Sequence, residues 1–194
     1  PVCVCVHKCP PETEERSKVC STHNVTFDSE CDLYRQKCLC HKGQPECQDR
    51  RHKKSHLDYY GPCKEIPECS DEEMEEYPER MRSWLYLVME ELARREDLNE
   101  PARRMAQEAE RHPKKWVLPV IWKFCDLDES HDMQMSEREL LAISAQLKPL
   151  EHCTGPFLHR CDTDQSGHID LQEWGHCMGL EDDEIENRCD KLRD

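Results

Sequence analysis

Between Met74 and Leu92 the apolar positions recur at steps of three and four: Met74, Tyr77, Met81, Trp84, Val88 and Leu92. That spacing puts them on one face of an α-helix and leaves the intervening Glu and Arg residues on the other. Ser70 followed by Glu73 makes a capping box at its start. Pro78 pulls the other way. It suits a first helical turn and not a helix interior, so the regular helix is expected to begin near Tyr77. The stripe reads as core and not as a cofactor site. A second helix is expected from Asn99, with Pro101 early in it, to about His112. Pro113 and Pro119 punctuate the segment beyond it. No apolar run approaches the roughly 18 residues of a membrane span.

Upstream, cysteine replaces periodicity as the main signal. The chain has 194 residues and 15 cysteines, ten of them in residues 1–69. That distribution predicts a small disulfide-stapled module followed by a larger domain with an apolar core. Such cysteine density also predicts an oxidising compartment, and the lack of a second CxxC pair argues against the alternative of a cytosolic zinc protein. A start at Pro1 without a signal-like segment is the expectation for a mature or truncated chain whose secretory signal lay upstream. Charge divides the chain in the same way. Residues 1–63 carry 10 Lys+Arg and 9 Asp+Glu, whereas residues 64–194 carry 17 and 33. An acidic domain disfavours nucleic acid and anionic membrane and suits divalent cations or basic partners. No nucleophile–base constellation or catalytic metal motif is present, which argues against an enzyme.

The divalent-cation reading has a motif behind it. From Asp162, loop positions 1, 3, 5, 7, 9 and 12 are Asp162, Asp164, Ser166, His168 (through its carbonyl), Asp170 and Glu173. Gly167 stands at position 6, where such a loop turns sharply. Ca²⁺ takes six to eight oxygens, and a terminal Glu can give two. Ile169 at position 8 can pair with a partner loop. Such hands come in pairs, and the upstream segment offers two frames. One starts at Asp126 and ends on Glu137. The other gives Asp128, Ser130, Asp132, Gln134 (carbonyl), Ser136 and Glu139, and is preferred. It puts apolar Met135 at position 8 and an apolar residue after the last Glu, as in the second loop. Its departure is Met133 where glycine is favoured, at roughly 1 kcal/mol if φ must be positive. Two bound calcium ions are therefore expected, in loops 128–139 and 162–173.

The front half has the spacing C-x3-C-x10-C-x10-C-x6-C over Cys5 to Cys38, closed by Cys63. Six cysteines allow about 15 pairings, so spacing alone leaves the connectivity open. With "VCSTHNVTFDSECDLYRQKC" in its middle, the segment resembles a Kazal-like subdomain, the second half of a follistatin module. That resemblance implies bridges Cys5–Cys38, Cys9–Cys31 and Cys20–Cys63. Physically it is a short hairpin and one helix, too small to bury enough surface unaided. The position that enters a protease pocket in Kazal inhibitors is Pro11 here, a poor fit to a trypsin-like pocket, and inhibition ranks last among the readings. Asn24-Val25-Thr26 is an N-glycosylation acceptor. The basic run from Asp49 to His56 suggests heparin-like polyanions or copper at 50–56, against an ordinary solvated loop.

"HLDYYGPCKEIPEC", "YPERMRSWL", "VLPVIW", "LKPLEHCTGPFLHRCDTD" and "EWGHCMGL" follow one another as in the SPARC/osteonectin family. The resemblance covers nearly the whole chain. It implies a small disulfide-rich α+β Kazal-like module (5–63, within a follistatin-like module 1–63 whose N-terminal hairpin is truncated). A mainly α-helical extracellular calcium-binding (EC) domain with a pair of EF-hands follows over 64–194. It implies bridges Cys69–Cys153 and Cys161–Cys177. Of the remaining cysteines, Cys40 with Cys47 would close a local loop and Cys125 with Cys189 would tie the first hand to the C-terminus. Cys3 is left to a missing upstream cysteine. The family is secreted into extracellular matrix and binds fibrillar collagen. Its contacts carry over by position to Arg80, Leu87, Leu147, Leu150 and Glu151. Leu87 replaces an asparagine and Leu150 a methionine, and the stretch before "VLPVIW" is shortened, which predicts a more open site. The alternative class is a growth-factor antagonist built on the follistatin module. With Cys161 and Cys177 clamping it, the second loop reads as a structural rivet and not as a sensor's switch.

Overall fold

A small antiparallel sheet organises the first part of the computed structural model, which describes residues 4–193. The expected pairing of Cys3 lies outside the described residues. The strands are β1 (Val19–Ser21), β2 (Thr26–Phe27) and β3 (Leu57–Tyr60), in the order β2-β1-β3. Val19 pairs with both Phe27 and Tyr60, and the register slips between Cys20 and Ser21. Strands this short cannot form a stable sheet alone. They pack with α1 (Glu30–His41), which starts where the Ser29 hydroxyl accepts the Asp32 N–H at 3.1 Å. Val19, Leu33 and Tyr59 form the buried centre. Covalent bonds supply the rest: Cys5–Cys38, Cys9–Cys31, Cys20–Cys63 and Cys40–Cys47. Three of the four end on α1.

The chain divides into two compact units, Pro1–Pro67 with Ile143–His152, and Glu68–Ala142 with Cys153–Asp194. The first unit takes in 143–152 through Lys148, which pairs with Asp58, and through Lys64, whose Nζ donates to the Pro149 carbonyl at 2.6 Å.

The second unit is helical. Its elements are α2 (Asp71–Arg94), α3 (Glu100–Arg111), α4 (Val117–Leu127), β4 (Gln134–Ser136), the start of α5 (Glu137–Leu147), α6 (Thr154–Cys161), β5 (His168–Asp170), α7 (Leu171–Cys177) and α8 (Cys189–Arg193). The α2 helix begins earlier than expected. Ser70 Oγ accepts the Glu73 N–H at 3.3 Å, and Glu73 Oε2 accepts the Ser70 N–H at 3.0 Å. This capping box starts the helix at Asp71, and Pro78 is accommodated inside it. Proline removes the one N–H that would reach the Met74 carbonyl, a local loss that the packed face outweighs. The buried face also differs from the expected stripe. Met74, Tyr77, Met81, Leu85 and Met89 are buried, while Trp84, Val88 and Leu92 are half-buried on the flank. Successive steps of four from Tyr77 keep to one face, and Trp84 and Val88 fall one residue to the side of it.

Buried α4 lies at the centre of this unit and touches α2, α3, α7 and α8. The α3 helix follows its expected course, with the Asn99 side chain accepting the Ala102 N–H at 3.0 Å. Tyr77 and Thr154 share a buried hydroxyl–hydroxyl hydrogen bond of 2.7 Å, and the Tyr77 and Phe157 rings lie 4.8 Å apart. The bridges here are Cys69–Cys153, Cys125–Cys189 and Cys161–Cys177.

Candidate calcium centre

Two helix–loop–helix units lie side by side in the second unit. The α4 helix leads into loop 128–139 and α5 leaves it; α6 leads into loop 162–173 and α7 leaves it. The loops meet through β4 and β5, with Met135 opposite Ile169, Gln134 opposite Asp170 and Ser136 opposite His168. Position 8 thus faces position 8, and 7 faces 9, as the Asp128 frame requires. Met135 and Ile169 are both buried. Trp174, fully buried just after the second loop, donates its indole N–H to the Val120 carbonyl of α4 at 2.9 Å.

The two backbones take the same path. Gln165 and Gly167 have φ of +58° and +84°; His131 and Met133, at the same loop positions, have +63° and +65°. Met133 therefore adopts the left-handed geometry that glycine adopts freely, at a local cost of roughly 1 kcal/mol.

In the second loop, Ser166 N–H donates to Asp162 Oδ1 at 2.9 Å, and Gly167 N–H donates to Asp162 Oδ2 at 3.0 Å. Glu173 Oε1 accepts the Thr163 N–H, and Oε2 accepts the Asp170 N–H, at 2.9 and 3.0 Å. One carboxylate oxygen from each of Asp162, Asp164 and Glu173 lies within 4.8 Å of the other two. Two ligands on opposite sides of one Ca²⁺ are separated by about that distance, since each stands about 2.4 Å from the ion. Three carboxylates this close repel one another, and a divalent cation relieves the repulsion. All the donors are oxygens, which fits a hard cation. Burial raises the Glu173 pKa, but N–H donors from Asp170, Thr163 and Asp164 and the Thr163 hydroxyl outweigh it and leave the pKa below its ordinary value.

The first loop repeats the arrangement with a different donor set. Asp128 Oδ1 accepts the Asp132 N–H and Oδ2 accepts the Met133 N–H, both at 3.2 Å. Glu139 Oε1 accepts the Ser130 N–H and Oε2 the Ser136 N–H, both at 2.9 Å. For Glu139 too, burial opposes ionisation, and the Ser136 and Ser130 donors more than offset it, bringing its pKa down to about 2. Asp128 is fully buried, unlike Asp162.

The position-9 residues have a role that loop spacing did not reveal. Ser136 Oγ donates to Glu139 Oε2 at 2.7 Å, and Asp170 Oδ1 accepts the Glu173 N–H at 2.8 Å. Both side chains are turned onto the helix that leaves the loop. A capping-box spacing, S-x-x-E and D-x-x-E, was the signal for this. Among the described residues, one further group has metal-ligand spacing, Cys69, Glu73 and Cys153, but its two sulfurs are bonded to each other.

The remaining candidate residues lie outside the two loops. Arg80 and Leu87 lie on α2, and Leu87 is 58% exposed. Leu150 is 80% exposed and Glu151 half-buried, whereas Leu147 is only 8% exposed, so its side chain packs inward and is not offered to a ligand. In the basic run, His52 is 5% exposed and lies edge-on to Phe27. Both ring nitrogens of His56 are 3.1 Å from Lys37 Nζ. Neither arrangement resembles a copper site, while Arg50, Lys53 and Lys54 remain exposed. Asn24 is exposed in the β1–β2 turn at φ +54°, a conformation asparagine tolerates.

Paired, oxygen-lined helix–loop–helix units together with a disulfide-stapled sheet-and-helix module define a disulfide-bridged calcium-binding protein of EF-hand class. Two family models match: the calcium-binding region of secreted protein acidic and rich in cysteine over residues 66–177, and the Kazal-type serine protease inhibitor domain over residues 4–63. SPARC of Caenorhabditis elegans is 46% identical over 193 residues, covering 97% of this chain and 73% of that protein. SPARC of Sus scrofa is 36% identical over 214 residues, covering 96% and 69%. The chain belongs to the SPARC family, whose members are non-enzymatic matricellular proteins, and it carries the family's calcium-binding region. Among the described residues no helix is long and apolar enough to cross a membrane.

Proposed function

We propose that this chain is a secreted extracellular-matrix glycoprotein whose helical domain, residues 64–194, binds two calcium ions and, in that state, fibrillar collagen. A follistatin-like module over residues 1–63 precedes that domain. The convergence of Asp162, Asp164 and Glu173 carries the calcium part. Asp162, Asp164, Ser166, His168, Asp170 and Glu173 would hold one ion, and Asp128, Ser130, Asp132, Gln134, Ser136 and Glu139 the other. Calcium would supply charge neutralisation; the chain supplies the oxygen cage, the loop path and the caps. For collagen, the support is the family membership together with exposed Leu87, on the same helix as Arg80, and exposed Leu150, next to Glu151. Exposed leucines accompanied by charges suit a rigid polyproline-type ligand. Solid-phase binding to collagen I with and without EDTA tests this. Binding should require calcium and fall at least about tenfold in Leu150→Ala, since burying a leucine is worth roughly 1.5–3 kcal/mol. Calcium-independent binding, or none, would overturn the collagen reading and favour growth-factor antagonism through the first module.

A second ligand reading rests on the exposed side chains of Arg50, Lys53 and Lys54. They offer a heparin-like polyanion a small basic surface. Heparin affinity that is unchanged in Lys53→Ala/Lys54→Ala would remove it.

A further inference from the structure

The first loop already holds a cation that belongs to the protein. Arg193 lies at the end of α8, and Cys125–Cys189 ties α8 to the helix that leads into that loop. Its Nη2 is 2.9 Å from Asp128 Oδ2 and 3.5 Å from the Asp128 carbonyl oxygen. Asp128 supplies position 1 of the loop and is fully buried. A buried carboxylate needs a counter-charge, and here a guanidinium from the far end of the chain provides it. The other carboxylate near Arg193 is Asp190, 3.7 Å away and almost fully exposed, where water screens the attraction. Among the described residues no Lys or Arg forms an ion pair with Asp162, Asp164 or Glu173 of the second loop.

We propose that Arg193 is an intramolecular competitor of calcium at the first loop. The proposal rests on the reading that this loop takes calcium. An ion entering beside Asp128 meets a positive charge already paired with its first ligand. Either the guanidinium leaves, and its bond to Asp128 is lost, or it stays and repels the ion. Both routes weaken the first site relative to the second. The device also keeps the calcium-free loop in shape, because Asp128 is neutralised before any ion arrives.

Calcium titration calorimetry on the full chain tests this, with Arg193→Gln, Arg193→Lys and Glu139→Gln as variants. The unmodified protein should show a tight and a weak phase, and Glu139→Gln should abolish the weak one. Arg193→Gln should tighten the weak phase about tenfold, the equivalent of one charged hydrogen bond, while Arg193→Lys stays close to the parent. Without calcium, Arg193→Gln should melt below the parent; in saturating calcium the two should coincide. A weak phase that is unchanged or further weakened in Arg193→Gln overturns the proposal. If neither Glu139→Gln nor Arg193→Gln alters the isotherm, the first loop does not take calcium and both readings fall together.

Discussion

Gly167 and Met133 stand at the same place in two loops of the same shape, at φ +84° and +65°. Their surroundings differ. The second loop has the glycine, three converging carboxylates and a disulfide, Cys161–Cys177, spanning it from the end of one helix to the end of the next. The first has a strained methionine, a buried aspartate with an arginine on it, and a disulfide that leads away to the chain's last helix. One loop is built so that calcium is the natural counter-ion of its acidic cluster. The other is partly neutralised beforehand. The comparison shows that a loop's path and its need for the ion can be set separately: β4–β5 pairing, the caps and the positive-φ positions fix the path in both.

Removing calcium should give the largest contrast. A site filled about a thousandfold above its dissociation constant stabilises by about 4 kcal/mol. EDTA should therefore lower the melting temperature by on the order of 10 °C. Glu173→Gln should reproduce more of that fall than Glu139→Gln. Equal effects from the two variants would erase the distinction between the loops. Next comes the clamp. Cys161→Ser/Cys177→Ser should cost about 3 kcal/mol in denaturant unfolding, the entropy of freeing a loop of this length. A loss confined to the second loop's calcium affinity, with unfolding unchanged, would show that the bridge shapes the site without stabilising the fold. The smallest effect is expected from exchanging the turn residues. Met133→Gly should strengthen the first loop and Gly167→Met weaken the second, each by about 1 kcal/mol, read as shifts in the matching calorimetric phase. A neutral Met133→Gly would mean that the left-handed turn carries no strain there.

Much of this contrast was legible in the chain itself, because it is local. Asp162 to Glu173 states its ligand pattern in one stretch, and Met135 at position 8 favoured the Asp128 frame, in which Met135 lies opposite Ile169. The capping box at Ser70 was legible too, but its outcome was not. Pro78 suggested a later start, and the packing of Met74 and Tyr77 overrode it. Leu85 and Met89 were missed as core because a stripe with mixed steps of three and four drifts around a long helix, and only the neighbouring elements decide which flank is covered. Arg193 could not be found by pattern at all. It reaches Asp128 across a sequence distance that only the tertiary fold and Cys125–Cys189 close. The capping roles of Ser136 and Asp170 were hidden by their membership of a ligand motif, since the same oxygen can serve either task until its neighbours are placed.

The bridges also set what the chain becomes after a protease has cut it. Cys69–Cys153 overlaps Cys125–Cys189, so one backbone break anywhere from residue 69 to 189 leaves its fragments covalently joined. Cys5–Cys38 overlaps Cys20–Cys63 and does the same for residues 5 to 63. Among the described residues between those two rings, Lys64 to Glu68 alone lie under no described bridge. By the described bridges, a single nick there is the one cut between residues 5 and 189 that parts the molecule under denaturing, non-reducing conditions. Such a cut would leave residues 143–152, which pack in the first unit, covalently on the second ring.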